Sequence, residues 1–171
     1  EIGYVQGDVT DKDSWRRALA GITHVVHLAA YGDNYPDFHR CFTVNAAGTA
    51  LLYEAIRDGN FPIKQVIIAS SQSVYGEGKY VCKKHGVFYP RSRSRKDLAA
   101  GQWDIRCPED NMPAEVIPSE EDDKLAPASP YGISKVAQDH IALLMGKGFG
   151  IPSVALRYSM VSGAYPGMRS I

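Results

Sequence analysis

Tyr131 and Lys135 stand four residues apart in a segment that begins with Ser129 and Pro130. Proline is typical of the first turn of a helix, and on a helix residues i and i+4 share one face about one turn apart. An ammonium group beside a phenol favours the phenolate and lowers the pKa of tyrosine from ~10 towards neutrality, which suits Tyr131 as a general acid or base. On spacing alone, a helix that carries both residues without a function remains the alternative.

Hydroxyl side chains follow an apolar run elsewhere in the chain. Residues 65–70 have the length and character of a buried strand, and Ser71 and Ser73 come directly after it. Ligands of open α/β sheets bind beyond the carboxyl ends of the strands. The pattern therefore predicts hydroxyl groups at a ligand site.

Strands and helices alternate around these residues. The strands are predicted at 4–9, 23–30, 65–70 and 152–158. The helices are predicted from a cap at Thr10 or Asp11 to Gly21, from Phe38 to Asn60, and from Pro130 to Gly148. The nearly continuous apolar run at 23–30 predicts a strand covered on both faces. Together the elements predict a doubly wound α/β fold with a parallel sheet.

Composition excludes several classes of protein. The chain has 171 residues, 44% of them hydrophobic, and its 19 Lys plus Arg balance its 19 Asp plus Glu. A neutral domain of this kind predicts neither a nucleic-acid partner nor an anionic membrane surface. Without an apolar run of ~20 residues or a signal-like start, the protein is expected to be cytoplasmic. Three widely spaced cysteines do not form a disulfide framework and should stay reduced or bind metal.

The connection at 77–129 has a different character and is interpreted as an insertion. It is polar, and its basic residues between Arg91 and Lys96 predict a solvated face. It also contains Cys82 and His85, and later Cys107 and Asp110, each pair separated by two residues. Such pairs suit a tetrahedral zinc ion, and the segment looks like a zinc ribbon. The alternative is two unrelated thiols on a surface loop.

Six short motifs occur in a fixed order along the chain. They are Gly7-Asp8-Val9, His27-Leu28-Ala29-Ala30, Asn45 in Val-Asn-Ala-Ala-Gly-Thr, the segment from Ser71 to Tyr75, Tyr131-x-x-x-Lys135, and Leu156-Arg157-Tyr158. In these motifs the sequence resembles the extended short-chain dehydrogenase/reductase superfamily, the NAD-dependent nucleotide-sugar epimerases and dehydratases. The resemblance implies a Rossmann-like sheet and the catalytic residues Ser71, Tyr131 and Lys135.

The same resemblance implies an NAD site, with NADP as the alternative cofactor. The residues that it assigns to the cofactor are Asp8, Val9, Leu28, Ala29, Ala30, Asn45, Ser70, Tyr131, Lys135, Tyr158 and Ser159. Asp8 and Val9 would flank the adenine, and Tyr158 and Ser159 the nicotinamide. For Asn45, the alternative remains open that it is a polar helix residue satisfied by a local backbone group. For Asp8, the alternative is that it places a charge at a helix N-terminus.

The resemblance also implies a nucleotide-sugar substrate and a homodimer. Within this family, Gln72 and Ser73 favour one type of reaction. Dehydrating relatives carry an Asp-Glu pair after the hydroxyl residue, and decarboxylating relatives a Glu at the second position; Gln72 and Ser73 stand there instead. This favours epimerisation through a 4-keto intermediate. A reductase or a dehydratase of the same superfamily, or a non-catalytic binding protein, remains the alternative. Met160, where many relatives have Asn, leaves the contact to the substrate diphosphate open.

Three parts are therefore expected along the chain: a dinucleotide-binding part at 1–76, the insertion at 77–129, and a continuation with the catalytic helix at 130–171. The resemblance places the first βα unit, with its glycine-rich turn, before Glu1, and most of the substrate domain after Ile171. The segment alone is therefore expected to be inactive and to expose an apolar sheet edge and face.

Overall fold

The structure, a computed structural model, describes residues 2–32 and 37–161. The α-helices are α1 Lys12–Leu19, α2 Phe38–Cys41, α3 Gly48–Gly59, α4 Arg95–Ala99 and α5 Pro130–Phe149. The strands are β1 His24–His27, β2 Gln65–Ala69, β3 Lys79–Cys82, β4 Gly86–Phe88, β5 Glu115–Ile117 and β6 Ser153–Leu156. A π-helical stretch, Phe42–Ala47, joins α2 to α3, and a 3-10 turn, Gln72–Tyr75, follows β2. None of the described helices is both long and apolar enough to cross a bilayer.

A parallel sheet with the strand order β1-β2-β6 forms the larger part of the fold. Val66 and Ile68 of the central strand are fully buried, because α1, α3 and α5 pack over them in one apolar core. Leu19, Leu52 and Ala142 are among the residues that these helices contribute to that core. The predicted α/β fold with a parallel sheet is confirmed.

The other face of this sheet is open in the described residues, as expected for a segment that exposes an apolar sheet face, so the cover on both faces predicted for 23–30 is not formed within these residues. Val26, Val154 and Leu156 point away from the core and are exposed, and Val26 is 59% exposed. The strand also ends at His27 rather than Ala30. The reason is that the three long helices all contribute to the core on the opposite face.

The predicted strand at 4–9 was also wrong, since residues 2–8 form no strand. A strand exists only through a hydrogen-bonded neighbour, and in the described residues β1 pairs with β2 alone. The chain instead forms a capped turn: the Asp8 carboxylate accepts hydrogen bonds from the backbone N–H and hydroxyl of Thr10. Asp11 is the N-cap of α1, so it, rather than Thr10, fills the predicted capping role.

The insertion at 77–129 is folded, with an antiparallel sheet of strand order β4-β3-β5 and the short helix α4. Gly76 begins it with a φ of 64°, and a Cβ at this position would collide with the carbonyl of Ala126. Ala126 in turn donates its backbone N–H to the carbonyl of Val74. The two ends of the insertion therefore lie together beside the 3-10 turn.

Candidate active site

The first turn of α5 is held against the 3-10 turn that follows β2. Ser129 caps the helix by accepting the backbone N–H of Gly132 at 3.0 Å. A Cβ on Gly132 would lie 2.7 Å from the Ser73 carbonyl oxygen, so only glycine permits this approach. The two segments that sequence reasoning singled out, 71–75 and 129–135, therefore pack together.

Lys135 lies almost completely buried at the carboxyl end of β2, with 2% of its surface exposed. Its Nζ donates to the Ala69 carbonyl at 2.7 Å and to Gln138 Oε1 at 2.8 Å. The same Nζ lies 5.7 Å from the centre of the Tyr131 ring. Burial lowers the pKa of Lys135 to about 8, although the charge of Asp139 acts in the opposite direction. The Lys135 ammonium thus lies near the Tyr131 ring, while its hydrogen bonds go to Ala69 and Gln138.

Ser71 caps the 3-10 turn directly after β2. Its Oγ accepts the backbone N–H of Ser73 and donates to Ser73 Oγ, both at 3.1 Å. The preceding residue, Ser70, has a buried Oγ without a partner. A buried hydroxyl without a hydrogen bond is unfavourable, so Ser70 is suited to accept a ligand group.

Tyr158 and Ser159 lie beside this turn, at the end of β6. The backbone N–H of Gln72 donates to the Tyr158 carbonyl at 2.7 Å, and Ser159 Oγ donates to Gln72 Oε1 at 2.9 Å. These two residues, which the resemblance assigned to the nicotinamide side, therefore share one sheet edge with Ser71.

A buried polar network behind Lys135 was not anticipated from the sequence. Gln138 accepts from Lys135 and donates through Nε2 to Thr49 Oγ1 at 2.8 Å, and Thr49 donates to the Asn45 carbonyl at 2.7 Å. Gln138, Thr49 and Asn45 are all fully buried. The signal was available, because Gln138 lies three residues after Lys135 and therefore on the same helix face.

Asn45 uses its whole side chain to connect the loop after β1 with α5. Its amide accepts the Tyr31 backbone N–H at 2.7 Å and donates to the Tyr31 carbonyl and to Ser134 Oγ. Ser134 then donates to the Tyr131 carbonyl at 2.7 Å. Asn45 lies in the π-helical stretch, a feature often found at functional sites. Its hydrogen bonds position the backbone next to Tyr131 and Ser134.

Arg157 belongs to the Leu156-Arg157-Tyr158 motif, and its side chain connects several elements of the structure. Its guanidinium donates to the buried carboxylate of Asp139 at 3.1 Å and to Tyr75 Oη at 2.7 Å. It also donates to the Glu121 carbonyl at 2.7 Å, which joins the insertion to β6. Arg157 therefore connects α5, the 3-10 turn and the insertion.

The remaining predicted cofactor residues lie further along the same edge of the sheet or near α3. Leu28, Ala29 and Ala30 follow β1 and are exposed. Asp8 is exposed, and its hydrogen bonds with Thr10 lower the pKa of its carboxyl group. Val9 is half-buried, and a Cβ on Gly48 would lie 3.2 Å from its Cγ2.

His27, at the end of β1, is a further residue without an earlier assignment. Its ring is buried, its Nε2 has no partner, and it meets the Trp15 ring edge to face. Burial, followed by the charge of Lys135, lowers the pKa of His27 to about 4. The imidazole is therefore neutral near pH 7 and keeps a free polar nitrogen close to the Lys135 charge.

The four predicted metal ligands form a separate cluster within the insertion. One ligand atom from each of Cys82, His85, Cys107 and Asp110 lies within 4.8 Å of all the others. The structure therefore brings together all four residues of the two sequence pairs.

Sequence comparison with known proteins finds one matching family. The model of the NAD dependent epimerase/dehydratase family matches residues 2–93 and 109–170. The chain is 33% identical over 165 residues to dTDP-L-rhamnose 4-epimerase from Burkholderia thailandensis, an alignment that covers 93% of the chain and 44% of that relative. It is 27% identical over 168 residues to UDP-glucose 4-epimerase from Lacticaseibacillus casei, covering 95% of the chain and 39% of the relative.

Solved structures show the same likeness. UDP-glucose 4-epimerase from Brucella ovis in complex with NAD matches with a TM-score of 0.63 and 25% identity, over 94% of this chain and 39% of the other. UDP-glucuronic acid 4-epimerase from Bacillus cereus in complex with NAD matches with a TM-score of 0.60 and 27% identity, over 92% of this chain and 38% of the other. The chain thus spans less than half the length of these relatives.

Proposed function

Because the chain belongs to the NAD dependent epimerase/dehydratase family, we propose that the whole protein inverts the configuration at C4 of a nucleotide-activated sugar, with NAD as its cofactor. One observation carries the proposal. The Ala69 carbonyl holds the buried ammonium of Lys135 at the carboxyl end of β2, beside the Tyr131 ring. Ala69 lies two residues before Ser71. This arrangement supports Tyr131 as a base, Lys135 as its electrostatic partner and Ser71 as a hydroxyl donor, at the edge where α/β sheets bind ligands.

The residues present fit a dinucleotide. Ser70 Oγ and His27 Nε2 are buried polar atoms without partners at the carboxyl ends of two adjacent parallel strands. Ala29 and Ala30 follow β1 and are exposed, and their small side chains permit the close approach of a flat ligand. Lys135 provides a positive charge beside Tyr131. NAD when bound would supply a hydride acceptor that can return the hydride to the sugar.

Tyr131 is the group that moves the proton. As the phenolate it takes the proton of the sugar 4-hydroxyl while the C4 hydrogen leaves as hydride, so the alcohol becomes a ketone. The Lys135 ammonium stabilises the phenolate, and Ser71 Oγ hydrogen-bonds the same sugar oxygen. In the return step Tyr131 gives the proton back to the oxygen and C4 receives its hydride on the opposite face. The sugar therefore keeps its mass.

The side chains after Ser71 support epimerisation over elimination. Gln72 Oε1 accepts the hydroxyl of Ser159, and Ser73 Oγ accepts the hydroxyl of Ser71. Neither residue is a carboxylic acid, so neither provides the general acid that the loss of water from the ketone would require. The relatives named above as 4-epimerases support the same reaction class.

The test uses the complete protein with UDP-glucose and with dTDP-L-rhamnose, separately, in heavy water. We expect a 4-epimer of unchanged mass from at least one of them, with no deuterium at C4, because the hydride does not exchange with solvent. A product lighter by water or carbon dioxide, or no conversion of either sugar, would contradict the proposal.

A matched pair of variants tests the role of Tyr131. Tyr131→Phe removes only the ionisable oxygen and should lower kcat by about 10²-fold or more. Tyr4→Phe, an exposed tyrosine far from α5 in the sequence, should leave kcat unchanged. Equal activity of the two variants would remove Tyr131 from the mechanism.

A further inference from the structure

The insertion contains two hairpins of the same form. Cys82 ends β3 and His85 precedes β4, while Cys107 and Asp110 lie in a hairpin closed by a bridge between Arg106 and Pro113. In both hairpins two residues separate the pair. In both, the residue directly after the pair has a positive φ: Gly86 at 80° and Asn111 at 58°. The backbone therefore turns in the same sense twice, and each turn presents two side chains.

The ligand atoms of the two hairpins converge on one point. His85 Nδ1 lies 3.6 Å from Cys82 Sγ, 3.3 Å from Cys107 Sγ and 3.5 Å from Asp110 Oδ2. Cys82 Sγ and Asp110 Oδ2 are 4.0 Å apart. A tetrahedral ion with metal–ligand distances of ~2.0–2.3 Å separates neighbouring ligand atoms by ~3.3–3.8 Å. The three spacings from His85 Nδ1 fall within that range, and the 4.0 Å between Cys82 Sγ and Asp110 Oδ2 is slightly above it.

The surroundings of these atoms favour ligation. Met112 donates its backbone N–H to Asp110 Oδ1 at 3.1 Å, which leaves Oδ2 turned towards the cluster. Such bonds orient ligands before a metal arrives.

Beyond the pairing of β3 with β5 and a few ion pairs, the insertion has little apolar core to hold its two hairpins together. Within residues 77–129, all of which the structure describes, the buried hydrophobic residues are Cys82, Ile105 and Cys107. Two of these three are in the cluster itself, with 3% and 2% of their surfaces exposed. Units with so small a core normally depend on a metal or a disulfide.

We propose that Cys82, His85, Cys107 and Asp110 bind one zinc ion that fixes the two hairpins of the insertion. Two thiolates, an imidazole and a carboxylate form a four-ligand set that zinc accepts, and four protein ligands make the site structural rather than catalytic. Cys107 lies in the segment 94–108, which the family model does not match. The site is therefore independent of the chemistry proposed for Tyr131 and Lys135.

The experiment measures metal in the full chain, purified without chelator and dialysed against metal-free buffer. Elemental analysis should find one zinc per chain, and replacement by cobalt(II) should give the visible spectrum of a tetrahedral thiolate site. Asp110→Asn should weaken zinc binding by about 10-fold or more, whereas the neighbouring Glu109→Gln should not change it. Asp110→Cys keeps four ligands and should retain the metal.

A second pair separates ligation from the loss of a buried thiol. Cys82→Ser should abolish stoichiometric zinc, whereas Cys41→Ser, at a buried cysteine outside the insertion, should retain it. Protein that contains no zinc after expression with added zinc overturns the proposal. So does a Cys82–Cys107 disulfide in the purified chain, or equal zinc content in Asp110→Asn and Glu109→Gln.

Discussion

The parallel-sheet part (residues 2–32, 37–76 and 130–161) and the insertion (residues 77–129) are stabilised in different ways. In the first, three helices and a sheet bury one apolar core, and a fully buried polar network lies beside it. In the second, ion pairs and hairpins replace the core. Lys79 bonds Asp123 and Glu120 at 2.8 and 3.1 Å, and Arg93 bonds Glu77 at 2.9 Å.

Because of this difference, we expect substitutions to destabilise the two parts to different extents. Apolar burial contributes ~25 cal/mol per Å² and is lost wherever a buried side chain is shortened. Partly exposed ion pairs contribute little and are screened by salt. We therefore expect core substitutions to affect the parallel-sheet part strongly, and single surface substitutions to affect the insertion only locally.

The largest expected effect is in the core. Leu52→Ala leaves a cavity between α3 and the sheet and should lower the free energy of unfolding by about 2–5 kcal/mol, measured by urea denaturation. Val87→Ala, at an exposed strand position in the insertion, should change it by less than ~0.5 kcal/mol. Similar losses in the two variants would contradict the contrast between the two parts.

The next effect depends on pH and on the buried His27. Its pKa is about 4 in the folded chain, against ~6.5 when unfolded, so between these values the unfolded chain binds more protons. The folded state therefore loses stability as the pH falls through this window. Relative to His27→Gln, the wild-type chain should lose about 3 kcal/mol between pH 7 and 4. His24→Gln, an exposed histidine of the same strand, should match the wild type at both pH values.

A smaller effect is expected in the polar network. Gln138→Leu keeps a similar volume but removes the acceptor of Lys135 and the donor to Thr49, and should destabilise the chain by ~1–3 kcal/mol. Gln102→Leu, at an exposed position of the insertion, is the control in the same denaturation experiment. A neutral Gln138→Leu would show that the network does not contribute to stability.

The smallest effect is expected at Asp123. Its hydrogen bonds with Lys79 and Tyr89 lower the pKa of its carboxyl group to about 2. Asp123→Asn should speed amide hydrogen exchange in β3 and β5 while amides of β2 keep their protection. Faster exchange in β2 as well would show that the insertion and the parallel sheet unfold as one unit.

Local patterns predicted a large share of the fold. Apolar runs located β1, β2 and β6, and the residues Asp11, Asn60 and Pro130 marked helix ends that the structure confirms. The strand at 4–9 failed because pairing is not a local property. The second face of β1 is uncovered in the described residues, since cover depends on which side each helix packs.

Sequence alone determined which residues are candidates for chemistry: helical periodicity pairs Tyr131 with Lys135, and ligand spacing pairs Cys82 with His85 and Cys107 with Asp110. Tertiary structure decided what these residues contact. Only packing brings Lys135 to the Ala69 carbonyl, 66 positions away, and Asn45 to Ser134, 89 positions away. Hydrogen bonds of this kind depend on the approach of whole elements, which apolar burial drives and no short segment encodes.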